Sequence, residues 1–191
     1  MKKIAIYIYE GMADFEISLL CHLLVSDCGV EIMIVSNDTD VIKSKSGIKY
    51  LPDETIVNLD LDEGEGLIIP GGWLENLTDE LIELVRKLND DNKLIAAICA
   101  APWILAKAGI LEDIKYTTSI SEWGDKHKDF FKIDNPFPKG NHIDCNCYRD
   151  RNIITAKGTS FIDFSVEVCD YLELFSSDNE KKELLNQLRC S

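Results

Sequence analysis

The sequence predicts an α/β fold with a mostly parallel sheet covered by helices on both faces. Short segments such as KKIAIYIY, VEIMIVS, GLIIP and KLIAAI are apolar along their length rather than at alternate positions, as expected of strands buried on both sides. Between them lie segments whose apolar residues recur at helical spacing, and alternating strand and helix implies parallel pairing. With 191 residues and 46% apolar content, the chain can close one sizeable core and is short for two. A single domain over residues 1–191 is expected, with residues 177–191 as a C-terminal helical extension.

Taken in order, KKIAIYIY is the first strand, and DFEISLLCHLLVSD reads as a helix stopped by Gly29. VEIMIVS is the second strand. From Asp40 to Asp60, β-prone fragments mixed with Ser, Gly and Pro suit a hairpin and a connecting loop. GLIIPGG is a strand ending in a corner without side chains. TDELIELVRKL is an amphipathic helix with Thr78 as N-cap and acidic residues in its first turn. KLIAAI is another strand, followed by Cys99 and a helix that Pro102 can open and Gly109 can end. IKYTTS is a further strand candidate, residues 121–141 read as a long polar and aromatic loop, and HIDCNCYRDRNIITAKG reads as two strands around a turn at Arg149 to Asn152. SFIDFSVEVCDYLELF is a helix. In the tail, Ser177 stands three residues before Glu180, a capping-box spacing, and Leu184, Leu185 and Leu188 share a face suited to packing on the body or on a partner subunit.

Composition narrows the function classes. A formal charge of −14 repels a phosphate backbone, and the 20 Lys and Arg are scattered rather than gathered in a stripe, so nucleic acid is not an expected partner. The opening MKKIAIYIYEGMADFE has too few apolar residues before Glu10 for a signal-peptide core, and no later run approaches membrane-spanning length. A cytoplasmic protein with no membrane partner is expected. The 7 cysteines have no framework spacing, which in a reducing compartment suggests free thiols rather than disulfides.

One cysteine is placed differently from the rest. Cys99 stands where a strand ends and a helix begins, at the edge of a parallel sheet where ligands bind. A helix starting almost immediately leaves unpaired N–H groups beside the sulfur, which favours the thiolate and predicts a lowered thiol pKa. The turn resembles a nucleophile elbow with cysteine in place of serine, without the G-x-S-x-G pattern. In the first helix, Glu16 shares a face with Leu19, Leu20, Leu23 and Leu24, which puts a carboxyl in the stripe facing the sheet. A buried carboxyl calls for protonation or for a specific partner. Gly71 and Gly72 would let backbone amides approach an oxyanion or a sulfur oxide.

LIIPGG, IAAICAAPWILAKAGIL and NIITAKGTSFIDFSVEVCDYL, preceded by a glutamate in the first helix, together resemble the ThiJ/PfpI family of the class I glutamine-amidotransferase-like superfamily. The resemblance covers residues 1 to about 175. It implies a flavodoxin-like three-layer α/β/α sandwich, usually a homodimer. It implies Cys99 as the elbow nucleophile, Glu16 as the carboxyl beside its sulfur, and backbone amides of Gly72 and Ala100 nearby; Trp73, Thr118 and Ser119 fall where they would line the site. Two departures bear on function. Peptidase-like members carry a histidine after the nucleophile, where this chain has Ala100, and deglycase-like members carry one after a T-T pair, where this chain has Ser119.

His22 points away from Glu16 around the helix, and His127 and His142, in or beside the long loop, read as surface residues. Without an imidazole, amide hydrolysis lacks a group to protonate the leaving amine and activate water. A Cys99–Glu16 pair holding one shared proton is instead suited to small activated substrates, in glyoxalase- or deglycase-like chemistry or hydratase- or amidase-like chemistry. The same pair also suits a non-enzymatic oxidative-stress sensor or a chaperone-like protein. The expected partners are a small-molecule substrate and a second copy of the chain, with no cofactor. His142, Cys145 and Cys147 form an H-x-x-C-x-C pattern that lacks a fourth ligand, so no metal is expected there.

Overall fold

The computed structural model describes residues 2–59 and 64–190. The chain runs β1 (Lys3–Tyr7), α1 (Phe15–His22), β2 (Glu31–Ser36), β3 (Ile42–Lys43), β4 (Lys49–Tyr50), β5 (Glu54–Thr55), β6 (Gly66–Ile69), α2 (Asp79–Asp90), β7 (Leu94–Ile98), α3 (Pro102–Ala108), α4 (Asp125–Phe131), β8 (Cys147–Asp150), β9 (Ile153–Ala156), α5 (Phe161–Tyr171) and α6 (Asp178–Arg189). A π-helical turn, Leu23–Asp27, extends α1, and a 3-10 turn, Gly158–Ser160, leads into α5. Asp60 of the expected connecting loop and residues 1 and 191 of the expected single domain lie outside the described residues.

The main sheet has seven strands in the order β5-β2-β1-β6-β7-β9-β8. All its pairings are parallel except β8 with β9. Its central run, β2-β1-β6-β7-β9, is the flavodoxin-like strand order. The inner strands are buried on both faces, from Ile4 to Tyr7, Gly66 to Ile69, Leu94 to Ile98 and Ile153 to Ala156. Helices α1 and α5 pack against each other, as do α2 and α3, so each face is covered. The fold is therefore the expected α/β sandwich with a mostly parallel sheet.

Several elements follow from local chemistry. Thr78 accepts a hydrogen bond from the Leu81 N–H at 3.4 Å and caps α2. Gly109, at φ 79°, ends α3. The hairpin expected after Asp40 is the antiparallel pair β3–β4. In the tail, the Ser177 hydroxyl accepts from Glu180 N at 3.3 Å, while the Glu180 carboxylate reaches back to Ser176 rather than to Ser177. Leu184 and Leu188 pack on the core, and Lys181 pairs with Glu167 and Asp170 of α5.

Two expectations fail. IKYTTS is not a strand: Tyr116 makes a single bridge to His142. Thr117 N–H then donates to Thr155 Oγ1, and Ser119 N–H to the Cys99 carbonyl. With its amides spent on those partners, the segment cannot extend a ladder. Residues 121–141 are not all loop either, because they hold α4. This seven-residue helix is too short to stand by propensity, and its rings carry it: Phe131 packs on Trp103 and Trp123, with centroids 4.4 and 5.4 Å apart.

Candidate active site

The site forms at the carboxyl ends of β1, β6, β7 and β9, where parallel strands leave unpaired backbone. Cys99 follows β7 with φ 65°, a left-handed conformation unfavourable for a residue with a β-carbon. Its neighbours hold it there. Its N–H donates to the Ala156 carbonyl at 2.8 Å, and its own carbonyl accepts from Ser119 N–H and from the Thr118 hydroxyl, each at 2.8 Å. Pro102 then opens α3 directly. The resulting strand–strained residue–helix turn has the geometry of a nucleophile elbow, and the cysteine is partly exposed.

Glu16 comes from the first turn of α1, which the Ala13 N–H ties to the Gly71 carbonyl at 2.8 Å. The side chain turns toward the sheet and is 1% exposed. One carboxyl oxygen, Oε2, accepts from Gly71 N–H at 2.7 Å, and the carboxyl is hydrogen-bonded to Cys99. Two glycines clamp the pair. A β-carbon at Gly71 would overlap both Cys99 Cβ and Glu16 Oε2, and one at Gly158 would come within 2.5 Å of Glu16 Oε1 and 2.9 Å of Cys99 Sγ.

The expected lowering of the thiol pKa is not found. Burial first, and the neighbouring Glu16 charge second, push the Cys99 thiol up to about 11. Hydrogen bonds from Ser119 and from the Ala100 N–H pull the other way without prevailing. Burial also raises Glu16 above the ordinary carboxylate range, against hydrogen bonds from Cys99 and Gly71. Between these two shifted values the pair holds one proton and one negative charge.

The remaining candidates are placed unequally. Ala100 N–H faces the sulfur. Gly71 N–H is already given to Glu16, so it is not free for a substrate oxyanion. Gly72, at φ 127°, lines the cleft beside Trp73. Thr118 is buried and braces the elbow from behind rather than lining the cleft. Ser119 bonds to the sulfur, and its Oγ accepts from Gly158 N–H at 2.9 Å. Gly158, Phe15, Phe130 and Lys45 were not singled out from the sequence. Gly158 follows a strand as Gly71 does, and that shared position was the available signal; nothing local marked the other three.

Cys99 and Glu16 lie in a cleft of about 670 Å³ that Gly72, Trp73, Ser119, Gly158, Phe15, Phe130 and Lys45 also line. None of the three histidines lines it. His22 and His142 are exposed, as expected. His127 is not a surface residue: it is 5% exposed, its Nδ1 accepts from Gly124 N–H at 3.1 Å, and its ring lies against Trp73 and Trp123. The aromatic side chains around α4 bury it. Among the described residues no group of His, Cys, Asp and Glu is arranged to hold a metal, and Cys145 Sγ donates to the Cys147 carbonyl at 3.5 Å. No helix among them is long and apolar enough to cross a membrane.

Known proteins share this architecture and sequence. An uncharacterized protease, YoaZ, of Bacillus subtilis is 27% identical over 93% of this chain and 86% of its own length. Deglycase PfpI of Pyrococcus furiosus is 34% identical over 56% of this chain and 66% of its own length. The solved structure of the DJ-1 superfamily protein Atu0886 from Agrobacterium tumefaciens superposes with a TM-score of 0.82 at 30% identity, covering 96% of both chains. The sequence pattern of the DJ-1/PfpI family matches residues 2–171. With an elbow cysteine, a buried glutamate against it and this match across nearly the whole sheet, the chain belongs to the DJ-1/PfpI family.

Proposed function

We propose that this chain is a cysteine-dependent enzyme of glyoxalase or deglycase type, in which Cys99 adds to the aldehyde carbon of a small carbonyl substrate and Glu16 carries protons. The carrying observation is that Glu16 and Cys99 are hydrogen-bonded to each other at the floor of an open cleft. The naming of family relatives as deglycases supports the reaction class.

With a 2-oxoaldehyde, the sulfur bonds to the aldehyde carbon and the pair's proton goes to the carbonyl oxygen, forming a hemithioacetal. Glu16, now ionised, removes the proton on that carbon. The electron pair forms a carbon–carbon double bond, the hydroxyl proton passes to the neighbouring oxygen, and Glu16 returns its proton to the second carbon. Water then breaks the carbon–sulfur bond of the thioester, leaving a 2-hydroxy acid and the free thiol. The aldehyde carbon is oxidised and the ketone carbon reduced, so no external electron carrier enters. Amide hydrolysis fits less well, because no imidazole lines the cleft to protonate a leaving amine.

A second reading, a peroxide sensor, draws on the Ala100 N–H and Ser119 hydroxyl that face the sulfur and would equally serve a sulfinate. The proposed partners are the small molecule and a second copy of the chain, and the proposed setting is the reducing cytoplasm. The test is turnover of glyoxals, isocyanides and small amides by wild type, Cys99→Ala and Glu16→Gln, beside intact mass after peroxide titration. Glyoxal turnover is expected to vanish in Cys99→Ala and to fall about 10²–10⁴-fold in Glu16→Gln. Turnover that survives Cys99→Ala sinks the enzyme reading, and clean addition of two oxygens without turnover replaces it with the sensor.

A further inference from the structure

The proposed reaction uses only the floor of the cleft, and the smallest glyoxals leave most of its roughly 670 Å³ unfilled. Above the sulfur the walls are aromatic and come from separate parts of the chain: Phe15 from α1, Trp73 after the Gly71–Gly72 corner, and Phe130 from α4. Phe15 is 53% exposed and Trp73 39%. Apolar area gathered in a concave site beside a reactive group marks a ligand surface rather than a scattered exposed residue.

These rings are held in place. Phe15 stands edge-on to Phe161 with centroids 5.7 Å apart, and Trp73 meets Phe130 at 4.9 Å and His127 at 5.5 Å. A platform ordered before binding loses little freedom when a ligand arrives. The polar side chains offer less. Glu16 and Ser119 are committed to Cys99, which leaves Lys45 and Thr159 for the polar groups of a ligand.

We infer that the site selects an arylglyoxal, or a 2-oxoaldehyde of comparable apolar bulk, whose ring lies among Phe15, Trp73 and Phe130. The inference rests on the glyoxalase reading and names the substrate class within it. The aldehyde carbon meets Cys99 Sγ, and the ring projects away from the sulfur toward the mouth.

The experiment compares kcat/KM for phenylglyoxal and methylglyoxal, measured as mandelate and lactate formed. Wild type is expected to favour phenylglyoxal by at least about tenfold. Phe130→Ala and Phe15→Ala are each expected to cut that ratio by roughly tenfold, chiefly through KM for phenylglyoxal, with Phe130→Leu recovering most of the loss. A ratio near one, or a ratio that neither alanine variant moves, overturns the inference. If neither aldehyde is turned over, the reaction reading fails separately. Protection of Cys99 from iodoacetamide by mandelate and by lactate then decides the cleft. Protection by mandelate at about tenfold lower concentration supports an aryl site, and equal protection overturns it.

Discussion

Cys99 and Glu16 illustrate how neighbours reverse an expectation drawn from one residue. A cysteine at the start of a helix is ordinarily made more acidic by the helix amides. Here one such amide, Ala100 N–H, does reach the sulfur, yet burial and the adjacent carboxylate outweigh it and hold the thiol near 11. Since Glu16 raises the thiol, Glu16→Gln removes a repelling charge. The midpoint of Cys99 alkylation against pH is therefore expected to fall from about 11 toward the ordinary cysteine range. A midpoint that stays in place after the substitution would show that the two groups do not titrate together.

Among the elements, the β3–β4 hairpin shows how a two-residue ladder is made to persist beside the cleft. Its anchor is Asp14, 5% exposed, whose Oδ2 accepts from Ser46 Oγ at 2.6 Å and from Tyr50 Oη at 3.1 Å. Burial alone would raise that carboxyl, but the hydrogen bonds from Ser46, Ser44 and Tyr50 prevail and hold it below the ordinary value. A lowered folded pKa stabilises the fold above the ordinary carboxylate range and is lost as pH falls through the folded value. Asp14→Asn is thus expected to melt below wild type at neutral pH, with the gap closing on acidification in thermal melts; a constant gap would contradict it. The same segment carries Lys45, so this variant also tests whether the hairpin shapes the cleft wall. Helix α4 shows the opposite case. Its residues, DKHKDFF, lack a clean apolar stripe, and beyond the Gly124 N–H bond to His127 Nδ1 at its start its existence depends on rings contributed by Trp73, Trp103 and Trp123.

For the whole molecule, a homodimer is the expected assembly. Val41, Ile48 and Leu51 expose 56, 55 and 68% of their area on and beside the hairpin. Sedimentation equilibrium is expected to show a dimer that raised salt strengthens, since each copy carries a charge of −14. Ile48→Glu is expected to weaken it, and a monomer at every concentration would refute the assembly. The sequence by itself determined the parallel sheet, the strand-to-helix turn at Cys99 and the inward face of Glu16. Each of these is written in local periodicity or in the residues flanking a single turn. Only the tertiary structure decided the direction of the thiol pKa, the hydrogen bonds of Ser119 to the sulfur and to Gly158, the burial of His127 and the addition of Phe15 and Phe130 to the cleft wall. Those features arise where residues far apart in the chain meet, and desolvation and ring packing depend on who the neighbours are rather than on spacing along the backbone.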